Sequence, residues 1–327
     1  MSSPAVLFSG HAAVRAVLDD PRFTVPPVHD AAPASPPASR RAHDLAWLRS
    51  TAVRFSNGAE HARRRSVAAD LLAGLTPSAL RADAAERARG LLAARPVPTD
   101  RPESVGEAVE FAPVAVLGIR LGLAEHDLSA AVDAVRTIAA VYLGGADVDQ
   151  RPHADTAVAL LSALLGTGTA GDGDGGGDGD GGGDIEERTA QRVVLLVQSC
   201  AATAGLIRSV LALIDAHRAS WAETPPVADL VTETLRFDPA AHRTRRVAST
   251  DATVAGTTIP ADTEVVLDLA AANRDPAVFT DPDRFLPGRP DAHHLAFGHG
   301  LRPCPGSDHA TAPACGVLDT VLPLPSL

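Results

Sequence analysis

The chain contains no lysine, so arginine supplies all 29 of its basic residues. Aromatic residues make up only 3% of the 327 residues, whereas hydrophobic residues as a whole make up 45%. This balance favours a helical interior packed with alanine and leucine. The only three cysteines, Cys200, Cys304 and Cys315, are too few and too scattered for a disulfide framework or a zinc site. The length allows one large domain or two ordinary ones.

Basic residues are also fewer than acidic residues. The 29 basic and 40 acidic residues give a formal net charge of −11, which argues against a general affinity for nucleic acid. The first residues lack the basic segment and apolar core of a signal peptide. The longest uncharged apolar stretch, about residues 193–207, is too short and too polar to cross a bilayer. The sequence therefore predicts a soluble cytoplasmic protein with neither a membrane nor a nucleic-acid partner.

Hydrophobic periodicity predicts a mainly α fold with small β-sheets. Helical patterns cover residues 5–20, 42–143, 186–217 and 225–237, with breaks in the second range near Gly74, Pro77, residues 96–102 and Pro113. Short β-like runs follow at residues 252–255 and 264–269. Residues 26–39 are rich in proline, alanine and serine and predict a loop.

Residues 166–184 are almost wholly glycine and aspartate. Calcium-binding repeats use the same two residue types but need a spaced apolar residue that this run lacks. The composition favours a disordered surface insertion over a calcium site. We predict that the insertion interrupts a single domain spanning residues 1–327.

Residues 297–306 read FGHGLRPCPG and place Cys304 in a loop bounded by glycine and proline. A thiolate is a strong ligand for heme iron and favours O–O cleavage. Gly300 and Gly306 would permit tight turns around the sulfur. Arg302 could hold a heme carboxylate, and Phe297 could shield the porphyrin. Pro305 has no N–H, so one potential hydrogen bond to the sulfur is lost.

This segment resembles the heme-binding loop of the cytochromes P-450, F-x-x-G-x-R-x-C-x-G, with all five fixed positions filled. The resemblance implies the cytochrome P-450 fold, with heme b between a long distal helix and the cysteine loop. It also implies that Cys304 is the axial iron ligand. The expected activity is a monooxygenase reaction on a small organic substrate, with O₂ and with electrons from a ferredoxin and its reductase.

The same resemblance assigns cofactor-binding roles to other basic residues. His61 and Arg65 lie at i and i+4, one above the other on a predicted helix. Taken alone, they could equally form a solvated basic face. In the family such a pair holds heme propionates, together with residues matching Arg246 and Arg302. Arg63 and Arg64 would then face solvent and attract an acidic ferredoxin.

A structural triad is also implied. Glu233 and Arg236 are three residues apart, which on its own is a common helical ion pair. In the family this pair joins an arginine that precedes an aromatic residue later in the chain. The match here is Arg284, and the triad would fix the segment that leads into the cysteine loop.

The predicted distal helix departs from the family. Family members carry an acid followed by a threonine there, and the best register places Ala201 and Ala202 at those positions. Ser199 and Thr203 are the remaining candidates for a proton relay. Peroxide use or a non-hydroxylating reaction is therefore an open alternative.

Both ends of the chain look short beside the family, and Pro313 should break the helix after the cysteine loop. A non-catalytic protein that binds heme or substrate is thus a third reading.

Overall fold

Helices dominate the computed structural model, which describes residues 5–26, 43–94, 105–143, 148–167, 181–290 and 293–322. The helices are α1 (His11–Asp19), α2 (Leu45–Thr51), α3 (Gly58–Ala73), α4 (Pro77–Ala94), α5 (Gly106–Arg120), α6 (Leu128–Tyr142), α7 (Arg151–Thr167), α8 (Gly181–His217), α9 (Val227–Phe237), α10 (Leu269–Ala272) and α11 (Ser307–Val321). The strands are β1 (Val6–Phe8), β2 (Phe23–Thr24), β3 (Arg243–Ala248), β4 (Ala252–Val254), β5 (Thr257–Ile259) and β6 (Glu264–Asp268). The mainly α prediction is confirmed.

The 37-residue helix α8 is the axis of the helical part. Its first half, including Val193 and Val197, packs into a cluster with α5, α6 and α7, and its second half, including Ile207 and Val210, packs with α4, α9 and α11. By length and composition alone α8 could cross a membrane, but more than half of its apolar stretch is buried inside the fold. These contacts explain its hydrophobicity as that of a core helix.

Two small sheets complete the fold. One has the strand order β1-β6-β3-β2, in which β1 runs parallel to β6 and the other pairs are antiparallel. The other is the β4–β5 hairpin. The larger sheet joins the beginning of the chain to the segment around Arg246, which lies opposite Val265 in the register of β3 and β6.

Prolines do not interrupt the helices as expected. Pro113 lies inside α5 and Pro313 inside α11, so both predicted breaks are wrong. Each proline is buried, and the tight packing of its helix outweighs one lost backbone hydrogen bond. Pro77 instead starts α4, a position where the missing N–H costs little.

Of the other predicted elements, two helices are confirmed and one segment differs. The helices at residues 186–217 and 225–237 are confirmed as α8 and α9. The first segment begins as strand β1 rather than as helix, because its apolar residues pair with β6. Residues 27–39 of the predicted loop and residues 168–180 of the Gly/Asp-rich run lie outside the described residues, while the two ends of that run belong to α7 and α8.

Candidate functional site

The cysteine loop is closed by its own backbone. The Cys304 amide donates a hydrogen bond of 2.7 Å to the Phe297 carbonyl, and the Gly298 amide donates one of 2.9 Å to the Leu295 carbonyl. Gly298 and Gly300 have φ of 73° and 66°, in the left-handed region that favours glycine. The loop therefore brings the cysteine back beside the aromatic residue that starts it.

Gly300 also fastens the loop to α1. A Cβ at this position would lie 2.6 Å from the Leu18 carbonyl oxygen, closer than any side-chain carbon can approach. The next amide, of Leu301, donates to that same oxygen at 3.3 Å. Gly306, by contrast, has φ of −117° and precedes the first turn of α11. A Cβ there would lie 3.3 Å from Leu72 Cδ1, so close packing rather than a positive φ favours glycine.

Opposing influences act on the pKa of the Cys304 thiol. The residue is exposed to solvent, yet the surrounding protein raises the pKa of the thiol by desolvation. The Gly306 amide donates a hydrogen bond to the sulfur and, with the positive charges of Arg65 and Arg54, opposes that rise in pKa. A sulfur that is both reachable and within a concave wall suits a ligand for a metal centre.

Four basic side chains surround the loop, and we call them the cationic wall: His61, Arg65, Arg246 and Arg302. Arg65 donates to the Pro303 carbonyl at 2.7 Å. Arg302 donates to the Asn57 side chain at 2.9 Å and to the carbonyls of Val53 and Ser56. Helix α3, strand β3 and the cysteine loop each contribute to the wall.

The members of the wall act on one another electrostatically. Desolvation, followed by the charges of Arg302, Arg65 and Arg246, lowers the pKa of His61 to about 4. Desolvation and neighbouring arginines also lower the pKa values of Arg246 and Arg302 to about 10. Within the described residues, no carboxylate forms a salt bridge with the wall. Its charge therefore calls for anions supplied by a ligand.

Arg63 faces solvent as predicted, with a side chain that is 51% exposed, whereas that of Arg64 is only 14% exposed. Both contact Glu187 of α8, whose side chain is buried, and the Arg64 Nε lies 3.2 Å from its carboxylate. Arg64 also donates to the Ser50 carbonyl at 2.7 Å. These contacts fix α3 against α8, because a buried acid must be paired.

Arg54 lies between α2 and α3, and the sequence analysis did not identify it as a site residue. It is exposed, and its positive charge acts on Cys304, Arg246 and Tyr142. No motif marks it, since only the fold brings residues 53–55 beside the cysteine loop.

The distal candidates differ in their exposure. Ala201 and Ala202 are exposed in the middle of α8, whereas Thr203 is 3% exposed and packed inside the fold. The Ser199 hydroxyl donates to the Leu196 carbonyl of its own helix at 2.9 Å. The relay roles of Ser199 and Thr203 stay predictions.

The triad contains a different arginine. Arg236 donates to Glu233 at 2.7 and 2.9 Å, and Arg289 approaches the same carboxylate at 3.3 Å. The Arg284 side chain is 69% exposed and pairs with Asp281 at 3.4 Å, while its carbonyl accepts from Arg236. The prediction of Arg284 was wrong, because its side chain points to solvent and only its carbonyl contacts the buried pair.

Phe297 is partly buried and packs against the cluster that includes residues of α4, α9 and α11. Its ring centroid lies 6.0 Å from that of His294. It therefore has a fixed position at the start of the cysteine loop.

Comparisons with known proteins agree on one group. A family model described as Cytochrome P-450 matches residues 219–322. The vitamin D(3) 25-hydroxylase of Pseudonocardia autotrophica is 30% identical over 94% of this chain and 77% of its own length. The pentalenic acid synthase of Streptomyces avermitilis is 31% identical over 93% of this chain and 77% of its own length. Some further relatives match only locally, over 22 to 37% of their lengths.

A solved structure shares the fold. It is the crystal structure of the cytochrome P-450 BioI in complex with acyl carrier protein ligated with hexadec-9Z-enoic acid. It superposes with a TM-score of 0.79, at 23% identity, over 97% of this chain and 84% of its own.

Proposed function

The chain belongs to the cytochrome P-450 family of monooxygenases, and from that premise we propose that it oxidises a small organic substrate, of the secondary-metabolite kind, at a heme b bound by Cys304. Electrons would come from a ferredoxin and its reductase, and the protein would act in the cytoplasm. The observation that carries the proposal is the reachable Cys304 thiol beside a cationic wall that has no acidic partner in the described part of the chain.

The donor set fits this cofactor. Heme b needs one axial ligand and two partners for its propionates, and the wall provides three guanidinium groups and one imidazole. Arg65 and Arg302 hold their positions through neutral acceptors, which leaves their charge for an added carboxylate. Arginine suits that role because it stays charged and binds carboxylates through two parallel hydrogen bonds. Phe297 would line the same side.

Each residue then has a defined task. When bound, the heme supplies the oxidative chemistry, and the protein supplies binding and orientation. Cys304 binds as the thiolate, and the Gly306 amide and nearby arginines favour that ionised form. His61, Arg65, Arg246 and Arg302 hold the carboxylates. Ala201 and Ala202 leave space on α8 for the substrate.

The carbon-monoxide difference spectrum of the reduced protein tests this proposal. We expect a strongly red-shifted Soret band in the parent protein and its loss in Cys304→Ser. Cys315→Ser is the matched control, because that thiol is buried in α11. A parent protein without the red-shifted band, or with a band that survives in Cys304→Ser, would contradict the assignment.

A second candidate function rests on the distal face of α8. Ala201 and Ala202 offer neither an acid nor an alcohol, and Thr203 is buried. Proton delivery to bound oxygen would then depend on water, on the substrate, or on Ser199 and Thr203. This favours a protein that uses peroxide or catalyses a reaction with less need for protons.

The double variant Ala201→Glu, Ala202→Thr separates the two candidates. If reductant-driven monooxygenation is the function, this variant should raise product formed per reductant consumed. If peroxide is the natural oxidant, the parent should turn over faster with peroxide, and the variant should gain nothing. Both enzymes are compared with the same surrogate ferredoxin system and the same substrate.

A further inference from the structure

We propose that His309 is a positioning residue for the cysteine ligand. It holds the first turn of α11 against the end of α3 and so fixes the hydrogen bond from the Gly306 amide to the Cys304 sulfur. That hydrogen bond in turn sets the reduction potential of the iron. This inference rests on the proposed function above, because it concerns iron bound by Cys304. It adds a residue outside the cysteine motif to the control of the ligand.

His309 lies in the first turn of α11 and reaches across to α3. Its Nε2 lies 3.0 Å from the carbonyl oxygen of Leu72 and 2.9 Å from that of Leu75. A carbonyl oxygen only accepts hydrogen bonds, so Nε2 carries a proton and donates it toward both oxygens. Leu72 is in the last turn of α3, where backbone carbonyls have no intrahelical partner. The imidazole therefore fastens the end of one helix to the start of another.

The same end of α3 touches the residue that donates to the sulfur. Leu72 Cδ1 lies 3.3 Å from the position that a Cβ on Gly306 would take. The Gly306 carbonyl accepts the first hydrogen bond of α11, from the Ala310 amide at 2.9 Å, so Gly306 and His309 belong to one hydrogen-bonded turn. The Gly306 amide donates to the Cys304 sulfur. A displacement of this turn therefore moves the donor relative to the sulfur.

A second contact fastens the other side of Cys304 to the same helix. Arg65 donates to the Pro303 carbonyl at 2.7 Å. Arg65 and Leu72 are seven residues apart, which places them two turns and about 10 Å from each other on one face of α3. Helix α3 thus holds the residue before the sulfur through Arg65 and the turn after it through His309. Without the imidazole, the second attachment would rest on the packing of Leu72 against Gly306.

The position of the Gly306 amide matters for the electron density on the sulfur. Hydrogen bonds to a ligating sulfur withdraw electron density from it and raise the potential of the iron. Pro305, the residue before Gly306, has no N–H and cannot replace this donor. A change at His309 that lets the first turn of α11 drift from α3 therefore weakens the hydrogen bond and lowers the potential.

Two measurements on the holoenzyme, without substrate or turnover, test the proposal. Resonance Raman spectroscopy gives the Fe–S stretching frequency, and a spectroelectrochemical titration gives the equilibrium constant for reduction of the iron. In both His309→Leu and His309→Ala we expect the frequency to rise and the equilibrium constant to fall about threefold, the order expected from weakening one hydrogen bond. His309→Gln keeps a side-chain N–H of similar reach and should stay close to the parent in both measurements.

Thr311→Val is the matched control, because the Thr311 hydroxyl donates within α11, to the carbonyls of Ser307 and Asp308. Its Fe–S frequency and potential should equal those of the parent. Unchanged values in His309→Leu or His309→Ala would overturn the inference, as would an equal shift in His309→Gln. Loss of heme from both variants that lack the donor would also overturn it, by assigning the histidine to the folding of the loop. A parent without thiolate ligation in its carbon-monoxide spectrum would refute the proposed function instead, so the two failures are distinguishable.

Discussion

Glu233 binds two arginines with one buried carboxylate. Its side chain is 3% exposed, and those of Arg236 and Arg289 are 1% and 7% exposed. Arg289 also donates to the carbonyls of Asp281 and Arg284, so it links α9 to the bend before the cysteine loop. Without Arg289, Glu233 would remain paired with Arg236 alone.

At this residue scale we expect Arg289→Gln to lower the free energy of unfolding by about 2 kcal/mol, because charged hydrogen bonds are lost while Glu233 keeps Arg236. The exposed pair of Arg284 with Asp281 is of a kind that contributes at most about 1 kcal/mol, so Arg284→Gln should change little. Urea unfolding of the holoenzyme measures both. Equal effects of the two substitutions would contradict the structural assignment of the triad.

We expect the protonation of His61 to be linked to heme binding. The pKa of its side chain is lowered from 6.5 to about 4 by desolvation and three arginines, so the ring is neutral at pH 5.5. Carboxylates bound to the wall favour the charged form and raise this pKa. Binding of Cys304 as the thiolate releases one proton at pH 5.5, and protonation of His61 offsets part of that release. We therefore expect heme binding at pH 5.5 to release fewer protons from the parent than from His61→Gln, measured by calorimetry in two buffers of different ionisation enthalpy.

The same shift gives a stability dependence in the cofactor-free protein. The unfolded state binds a proton at His61 below pH 6.5, whereas the folded state binds it only near pH 4. The contribution of His61 to stability is therefore complete above pH 6.5 and declines as the pH falls from 6.5 to 4.

At the scale of elements, Glu187 connects α8 to α3. The helix α3 carries both His61 and Arg65, so its position against α8 determines where those side chains point. Glu187 is 8% exposed, and its partner Arg64 is 14% exposed. The ion pair is thus a positioning device for the cationic wall rather than a part of it.

We expect Glu187→Gln to lower the free energy of unfolding by about 2 kcal/mol, because Arg63 and Arg64 lose their buried partner and keep only the exposed Glu60. The pKa of His61, followed by NMR in the cofactor-free protein, should also move as α3 shifts. Glu186→Gln is the matched control, since that neighbour is exposed and should change stability by less than about 0.5 kcal/mol. An unchanged His61 pKa in Glu187→Gln would refute the positioning role.

Sequence patterns predicted where helices and loops lie better than they predicted which distant side chains contact each other. Periodicity gave α8 and α9, and the cysteine motif gave the loop, because both signals are local. Arg289, Arg54 and Glu187 could not be predicted from spacing. Arg289 lies 56 positions from Glu233, Glu187 lies 123 positions from Arg64, and Arg54 lies 250 positions from Cys304. The buried Pro113 shows the reverse case, in which tertiary packing outweighs a local rule.

The whole molecule is acidic, with a net charge of −11, yet its cofactor site gathers like positive charges. Without bound carboxylates these charges repel one another at short range. Removing heme should therefore lower the melting temperature by more than the loss of apolar contacts implies. Sulfate should restore part of the difference, because an anion that binds the folded wall stabilises it by mass action.

Scanning calorimetry of the cofactor-free and loaded proteins, each with sulfate and with sodium chloride at equal ionic strength, checks this expectation. Sulfate should raise the melting temperature of the cofactor-free protein clearly more than that of the loaded protein. Equal effects on both would mean that the wall binds no anion.

The three thiols differ sharply in access, because Cys200 and Cys315 are buried and Cys304 is exposed. A maleimide dye should therefore label the cofactor-free protein at one position without any mutagenesis, most readily at alkaline pH, where the raised pKa of the thiol is overcome. Since the chain has no lysine, side-chain amines cannot compete for the dye. Loading with heme should block the label, so that fluorescence after gel filtration counts empty molecules directly.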